Sequence, residues 1–122
     1  PLISNIIESN VIQTKWTVDK LTSILINENI KSVLLIGAAF KEDTDDLRNS
    51  PTLDIYKMLH QKDVNTFIYD EMVELGEYNS VDNLDEISEK TLVVLMYPVK
   101  KILMERIESI ITDTNSILYT PW

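Results

Sequence analysis

The strongest constraint on the fold is a buried-strand pattern followed, after a long polar connection, by a helix start. Val33 to Ile36 form an uninterrupted run of strand-forming and large aliphatic residues, and Gly37 ends the run where a tight exit or a close ligand could be accommodated. Ser50 is a favourable N-cap residue and Pro51 suits the first position of a helix. The pattern predicts a central β-strand joined to a helix by residues 38–49.

This connection is longer than α/β proteins usually need, since such loops contain roughly 2–6 residues. It carries Lys41 just after the strand and Arg48 just before the helix. Ligands bind beyond the carboxyl ends of strands in open α/β sheets, and helix amino termini there add positive potential. Either the two cations bind a phosphate-bearing ligand, or they are solvated residues paired with the four acids between them. Those acids are Glu42, Asp43, Asp45 and Asp46.

The same segment resembles the signature that opens the carboxyl-terminal domain of the UDP-glucose/GDP-mannose dehydrogenases, G-x-A-F-K-x-x-T-x-D-x-R-x-S. In this chain it reads Gly37-Ala38-Ala39-Phe40-Lys41-x-Asp43-Thr44-x-Asp46-x-Arg48-x-Ser50-Pro51. The match is specific because it fixes residue types over many positions. It implies a nucleotide-sugar-binding domain of an NAD-dependent UDP-sugar 6-dehydrogenase, of the UDP-glucose, UDP-GlcNAc or UDP-ManNAc type, which oxidises the sugar C6 alcohol to the uronic acid for polysaccharide synthesis.

The resemblance also implies roles for three residues of the connection. Lys41 would face the nucleotide-sugar near its phosphates, Phe40 would pack against the nucleotide, and Arg48 would reach the NAD pyrophosphate. The resemblance places the catalytic cysteine and the NAD-binding domain in regions that precede this stretch. It assigns no catalytic residue and no metal ligand to this chain.

Two departures from the family pattern leave a second interpretation open. Met96-Tyr97-Pro98-Val99 stands where the family often has Thr-Glu-Trp-Asp, and Thr120-Pro121-Trp122 stands where it often has Asp-Gly-Arg. The usual arginine is therefore missing. The chain is either the substrate-binding domain of a dehydrogenase, or a noncatalytic nucleotide-binding or assembly module derived from that domain.

Composition limits the chemistry of these 122 residues. They suffice for one domain with a substantial core, but not for a dinucleotide domain as well. They contain no cysteine, which excludes a disulfide, a thiolate ligand and a cysteine nucleophile among them. The net charge of −9 disfavours nucleic acid and anionic membranes as partners. No signal sequence or long apolar run is apparent, so we expect a cytoplasmic protein.

Residues 2–27 predict a long helix, because apolar residues recur at spacings of three, four or seven. They are Ile3, Ile7, Val11, Val18, Leu21 and Leu25. Further apolar residues lie off this stripe: Ile6, Ile12, Trp16, Ile24 and Ile26. This is either a well-buried core helix or, as the resemblance implies, the end of the long helix that joins the family's two domains and forms its dimer contact. The resemblance thus divides the chain into an interdomain and dimerisation helix, 1–28, and a nucleotide-sugar-binding domain, 29–122, in a homodimer.

The remaining pattern alternates strands and helices, which predicts a parallel sheet between helices. Asp70 follows the second strand; we interpret it as a turn or capping acid, because a ribose-binding acid would need a glycine-rich turn after the first strand. The predicted elements are strands at Val64–Tyr69, Asn79–Val81, Thr91–Tyr97 and Ser116–Tyr119, and helices at Pro51–Gln61, Asn83–Glu89 and Val99–Ile111. The expected fold is a three-layer α/β/α Rossmann-like sheet preceded by the long helix, with the order 3-2-1-4-5 implied by resemblance.

Overall fold

The computed structural model describes residues 2–38, 51–71, 76 and 78–121, with the side chains of residues 2–13 excepted. Within these ranges the chain forms three α-helices, one short 3₁₀-helix and four β-strands. The elements are α1 (Leu2–Glu28), β1 (Ser32–Ile36), α2 (Pro51–Gln61), β2 (Asn65–Tyr69), the 3₁₀-helix (Leu84–Glu86), β3 (Leu92–Leu95), α3 (Lys101–Thr114) and β4 (Ile117–Tyr119).

The four strands form one parallel sheet in the order β2-β1-β3-β4. Outside β2, Ser80 makes an isolated parallel bridge to Ile68. If Ser80 is counted as the predicted edge strand, the observed order is the expected 3-2-1-4-5, so the topology is confirmed. The edge strand itself is reduced to this single bridge, with hydrogen bonds from Ile68 N to Asn79 O and from Val81 N to Ile68 O.

The helices lie on both faces of the sheet, which confirms the three-layer α/β/α architecture. All five residues of β1 are buried, and its side chains alternate between two hydrophobic cores. Val33 and Leu35 point to the core that includes residues of α1 and α2. Leu34 and Ile36 point to the core that includes residues of α3 and the 3₁₀-helix. Along the sheet, β2 lies on one side of β1, whereas β4 lies on the opposite side of β3. Because both crossovers are right-handed, α2 and α3 pack on opposite faces of the sheet.

Helix α1 spans about 40 Å at 1.5 Å per residue and packs against α2. Val18, Leu21 and Leu25 lie in the core, as the predicted stripe requires. Trp16 is 61% exposed and Ile26 is 74% exposed, so these two residues outside the apolar stripe face away from the core. The side chains of Ile3, Ile7 and Val11 are not among those that the structure describes. Whether α1 joins two domains or two protomers stays a prediction.

Several predicted boundaries differ from the structure by one to three residues, and the cause is visible at α3 and at the 3₁₀-helix. Helix α3 begins at Lys101, not Val99, because Lys100 has the extended backbone of an N-cap residue (φ −64°, ψ 154°). The predicted helix at Asn83–Glu89 is only the 3₁₀ turn Leu84–Glu86. A reciprocal capping box between Asn83 and Glu86 holds that turn, and Ile87 already has extended dihedral angles.

Candidate functional site

The sheet order creates one crevice at its carboxyl edge. The chain leaves β1 toward β2 and later enters β3 on the other side of β1, so the topological switch point lies between the ends of β1 and β3. Gly37 and Ala38 follow β1 there, and Met96 and Tyr97 follow β3. A hydrogen bond of 3.0 Å from Met96 N to the Ile36 carbonyl joins the two strand ends. In open α/β sheets this crevice is where ligands bind.

Gly37 adopts a conformation that few other residues tolerate. Its φ is +100°, and a Cβ added to it would lie 2.9 Å from Cδ2 of the Tyr97 ring. Its N–H donates to the Tyr69 carbonyl at 2.9 Å, which ties the exit of β1 to β2. The glycine thus lets the chain turn out of the sheet directly beneath an aromatic ring that belongs to the end of β3.

Two side chains from other elements hold the exit of β1. The hydroxyl of Thr52, the second residue of α2, donates to the Gly37 carbonyl at 2.6 Å. The carboxylate of Asp70, just after β2, accepts a hydrogen bond of 2.7 Å from Ala38 N. Thr52 and Ala38 are fully buried. The contact of Asp70 is structural, but it joins the ends of β2 and β1 and does not, as the sequence predicted, cap a helix or close a local turn.

A second polar cluster lies at the same edge, on the face covered by α3. The Tyr69 hydroxyl donates to Glu71 Oε1 at 2.8 Å, and the Arg106 guanidinium donates to Asn83 Oδ1 at 3.0 Å. Burial, with the hydrogen bond and negative charge of Glu71 added to it, raises the pKa of Tyr69 to about 12, against the opposing effect of Arg106. The phenol is therefore neutral at physiological pH and serves as a hydrogen-bond donor.

The three site residues predicted from the sequence, Phe40, Lys41 and Arg48, lie within residues 39–50, outside the described part of the chain. Their roles stay predictions. The structure does place the two ends of that segment, Ala38 and Pro51, at the crevice edge of the sheet, where ligand binding was predicted. The carboxyl-terminal departure is described as far as Pro121, after β4.

Sequence reasoning missed the parts of Thr52 and Tyr97 in shaping the crevice. Thr52 is a buried polar residue in the first turn of a helix. Nothing in the sequence pattern indicated that this threonine is buried. Tyr97 was assigned to a strand, but it follows β3 and covers Gly37. Lys100 and Lys101 are exposed at the amino end of α3, so they add positive charge at the same edge of the sheet.

The described residues contain neither a metal-binding cluster nor a membrane-spanning helix. Within the described ranges, no three or more His, Cys, Asp or Glu residues lie together in a way that could hold a metal ion. None of the described helices has the length and apolar character needed to cross a bilayer.

Comparison with known proteins identifies the family. The sequence profile of the "UDP-glucose/GDP-mannose dehydrogenase family, UDP binding domain" matches residues 34–118. UDP-glucose 6-dehydrogenase TuaD of Bacillus subtilis strain 168 is 38% identical over 69 residues, which are 57% of this chain and 15% of TuaD. GDP-mannose 6-dehydrogenase of Pseudomonas savastanoi pv. phaseolicola is 30% identical over 118 residues, which are 97% of this chain and 25% of that protein. The chain therefore spans a quarter or less of the length of these relatives.

Solved structures show the same fold. The UDP-N-acetyl-mannosamine dehydrogenase Cap5O from Staphylococcus aureus, in its native structure, aligns with a TM-score of 0.60 and 30% identity over 67% of this chain and 20% of Cap5O. A derivative structure of the same enzyme aligns with a TM-score of 0.67 and 21% identity over 88% of this chain and 30% of Cap5O. With its switch-point crevice, its parallel sheet and the matched profile, this chain belongs to the UDP-glucose/GDP-mannose dehydrogenase family and corresponds to the UDP binding domain of that family.

Proposed function

We propose that this chain is the nucleotide-sugar-binding part of an NAD-dependent UDP-sugar 6-dehydrogenase. The observation that carries the proposal is the position of the family signature, which starts at Gly37, the residue that leaves β1 at the switch-point crevice. Family membership supports the class of ligand. The relatives are named for three different nucleotide-sugars, UDP-glucose, GDP-mannose and UDP-N-acetyl-mannosamine, so the identity of the sugar stays a prediction. A homodimer through α1 and a cytoplasmic location are also predictions.

An anionic nucleotide needs a local positive site, since the whole chain carries a net charge of −9. The crevice edge offers the amino end of α2 and, by the signature, Lys41. In the proposed arrangement Lys41 contacts the phosphates, Phe40 packs against the nucleotide and Arg48 reaches toward the pyrophosphate of NAD. The part of this chain in the reaction is to bind and orient the nucleotide-sugar.

The residues present do not form a full dinucleotide site. A single glycine, Gly37, follows β1, whereas the dinucleotide fingerprint needs three in its turn. Asp70 stands where a ribose-binding acid would stand, and one of its carboxylate oxygens accepts the Ala38 hydrogen bond. NAD would supply the hydride acceptor of the oxidation, and we assign its binding mainly to a separate domain.

The second candidate is a noncatalytic nucleotide-binding or assembly module. The sequence at Thr120, Pro121 and Trp122 favours it, because the arginine that the family often has after the last strand is missing there. Loss of that contact would weaken nucleotide binding and leave a scaffold available for assembly.

UDP titration followed by NMR tests the first proposal. A charge-assisted contact to a phosphate is worth on the order of 1.5–3 kcal/mol, so Lys41→Ala should weaken UDP binding by roughly tenfold to a hundredfold. Arg48→Ala should leave it unchanged. Lys31→Ala is the matched control, because it removes the same charge from an exposed residue just before β1, at the opposite end of that strand. Equal shifts in all variants, or none at millimolar UDP, would favour the noncatalytic module.

A further inference from the structure

Strand β2 is paired along its whole length on one side and at a single residue on the other. On its inner side, all five residues are in register with β1. On its outer side, the bridge between Ile68 and Ser80 is the only pairing among the described residues. Thr66 lies two residues before Ile68, so its backbone N–H and C=O face the same outer edge. An edge of this kind is a template for pairing with another chain.

The sequence of β2 makes an open edge hazardous. Residues 64–69 read Val-Asn-Thr-Phe-Ile-Tyr, a six-residue run of mostly strand-forming residues with no charge and no proline. The net charge of −9 opposes association between copies, but β2 contributes none of that charge. A second copy of this chain, which presents the same uncharged strand, is therefore the partner that would pair with this edge.

Tyr56 of α2 holds the short segment that covers the edge, residues 78–81. Its hydroxyl accepts a hydrogen bond of 3.0 Å from Asn79 N. Its ring meets the ring of Tyr78 edge-on, with 5.3 Å between the centroids and 89° between the planes. His60, one turn later in α2, stacks on the Tyr56 ring at 5.9 Å and 7°. Tyr56 is buried, so these contacts fix the direction of its hydroxyl.

The covering segment is held from both faces of the sheet. Tyr56 and Tyr78 pack in the core that includes residues of α1 and α2, whereas Val81 packs against the core that includes residues of α3. In the plane of the sheet, Ile68 N donates to Asn79 O at 3.0 Å and Val81 N donates to Ile68 O at 3.1 Å. Asn79 is thus bound through its N–H by the helix and through its C=O by the strand.

We propose that Tyr56 and residues 78–81 form a clasp that closes the outer edge of β2 against strand pairing with a second copy of this chain. The Tyr56 hydroxyl fastens the clasp, because it binds the same peptide segment whose carbonyl and following N–H pair with Ile68. Nucleotide binding has no part in this arrangement, so the clasp is independent of the proposed function.

Amide exchange measured by NMR tests whether the hydroxyl fastens the clasp. Tyr56→Phe keeps the ring and removes the hydroxyl. Exchange should then be about threefold to tenfold faster at the amides of Ile68 and Val81, the effect of one net hydrogen bond on a local opening. Neither amide donates to the hydroxyl, since their acceptors are Asn79 O and Ile68 O. Their faster exchange would therefore report the opening of the whole clasp.

Two control variants separate this opening from a general loss of stability. Tyr119→Phe removes a hydroxyl from β4, at the opposite edge of the sheet, and should leave both amides unchanged. Ile55→Val shortens a buried core side chain of α2. It should speed exchange at Met96, whose amide joins the end of β3 to β1, but not at Ile68 or Val81.

Self-association tests the function of the clasp. In light scattering at equal concentration, Tyr56→Phe should form assemblies larger than a dimer several-fold faster than the wild type does. Asn65 is exposed at the start of β2, so Asn65→Lys adds a charge to the edge strand. Added to Tyr56→Phe, it should restore the slow association of the wild type while the exchange at Ile68 stays fast.

Each result decides for or against the clasp. Unchanged exchange at Ile68 and Val81 in Tyr56→Phe would overturn it. Equal acceleration of these two amides in Ile55→Val would also overturn it, because global unfolding would then account for their exchange. Wild-type association in Tyr56→Phe, or faster association that Asn65→Lys does not reduce, would show that the segment does not shield the edge.

Discussion

The ring of Tyr97 lies over the α-carbon of Gly37, so that a single added methyl group would approach Cδ2 of the ring to 2.9 Å. This contact joins the end of β3 to the exit of β1 at the crevice. Because Tyr97 is half-buried and packs against the core shared with α1 and α2, the ring cannot move away freely. At the switch point, a residue with no side chain after one strand therefore packs against an aromatic residue after the next strand.

Gly37→Ala should destabilise the fold for two reasons. The φ of +100° is strained for a residue with a Cβ, and the new methyl group would clash with Tyr97. Strain of this kind costs about 1–3 kcal/mol, and the clash adds to it. Urea denaturation followed by circular dichroism measures the loss.

Gly76→Ala is the control for the clash. Gly76 also has a positive φ, of +43°, but no atom lies within 4 Å of a Cβ built there. We expect a loss of about 1 kcal/mol, from backbone strain alone. A Gly37→Ala variant no less stable than Gly76→Ala would show that the Tyr97 contact does not constrain the crevice.

The two faces of α1 should respond differently to a charged substitution. Val18 is completely buried in the core, so Val18→Glu places a carboxylate in an apolar site and should unfold the domain at a cost on the order of 4 kcal/mol. Trp16 is 61% exposed, so Trp16→Glu should change the free energy of unfolding of the monomer by less than about 0.5 kcal/mol. Thermal denaturation of the two variants checks this.

Trp16→Glu also tests the predicted homodimer. If the chain self-associates through α1, sedimentation equilibrium should give a dimer for the wild type and a folded monomer for Trp16→Glu. Ile102→Glu is the matched control, because Ile102 is 76% exposed but lies on α3. A monomeric wild type, or a dimer that survives Trp16→Glu, would count against α1 as the interface.

Tyr69 should make stability depend on alkaline pH. Its pKa rises from 10.0 to about 12, chiefly because it is buried. The folded chain thus holds the phenolic proton more tightly than the unfolded chain does, so this contribution is complete below about pH 10 and is lost as the pH rises toward about 12. The free energy of unfolding should fall across that interval, and Tyr69→Phe should remove part of the fall.

The neighbours of Tyr69 supply opposite controls. Glu71→Gln removes the negative charge that raises the pKa of Tyr69 and should lower it, whereas Arg106→Gln removes the opposing positive charge and should raise it. Absorbance at the tyrosinate band, recorded against pH, reports both shifts. Shifts of the same sign would contradict the assigned cluster.

The chain alone should not reduce NAD. It has no cysteine to act as nucleophile and no glycine-rich dinucleotide turn after β1. With UDP-glucose, UDP-GlcNAc or UDP-ManNAc, the rate of NADH formation should stay at background. Reduction that depends on a UDP-sugar and disappears in Lys41→Ala would refute this expectation.

Much of the fold was predictable because its strongest signals are local. The apolar run Val33 to Ile36 predicted the central strand, and the spacing of Val18, Leu21 and Leu25 predicted the buried face of α1. Pro51 predicted the start of α2 at the observed residue. Each of these signals depends on neighbours within one or two turns of chain, so a single sequence contains it.

The contacts that shape the site were not predictable in the same way. Thr52 binds a residue fifteen positions away, and Asp70 binds one thirty-two positions away. Asp70 was interpreted as a turn or capping acid, whereas its partner, Ala38, becomes apparent only when β1 and β2 lie side by side. The observed start of α3 differs from the predicted one for a similar reason, since Val99 packs against the core before the helix begins.

The central position of β1 has a consequence for biosynthesis. Its two neighbours, β2 and β3, follow it in the chain, and Leu34 pairs with Phe67 and Val93. At about 5–20 residues per second, the ribosome needs roughly 3–12 s to extend the chain from Leu34 to Val93. During that time this fully buried strand has no completed sheet to enter, and it is a site where aggregation can begin. The acids that follow it along the chain, Glu42, Asp43, Asp45 and Asp46, place like charges beside this strand on every nascent chain and so oppose association between copies.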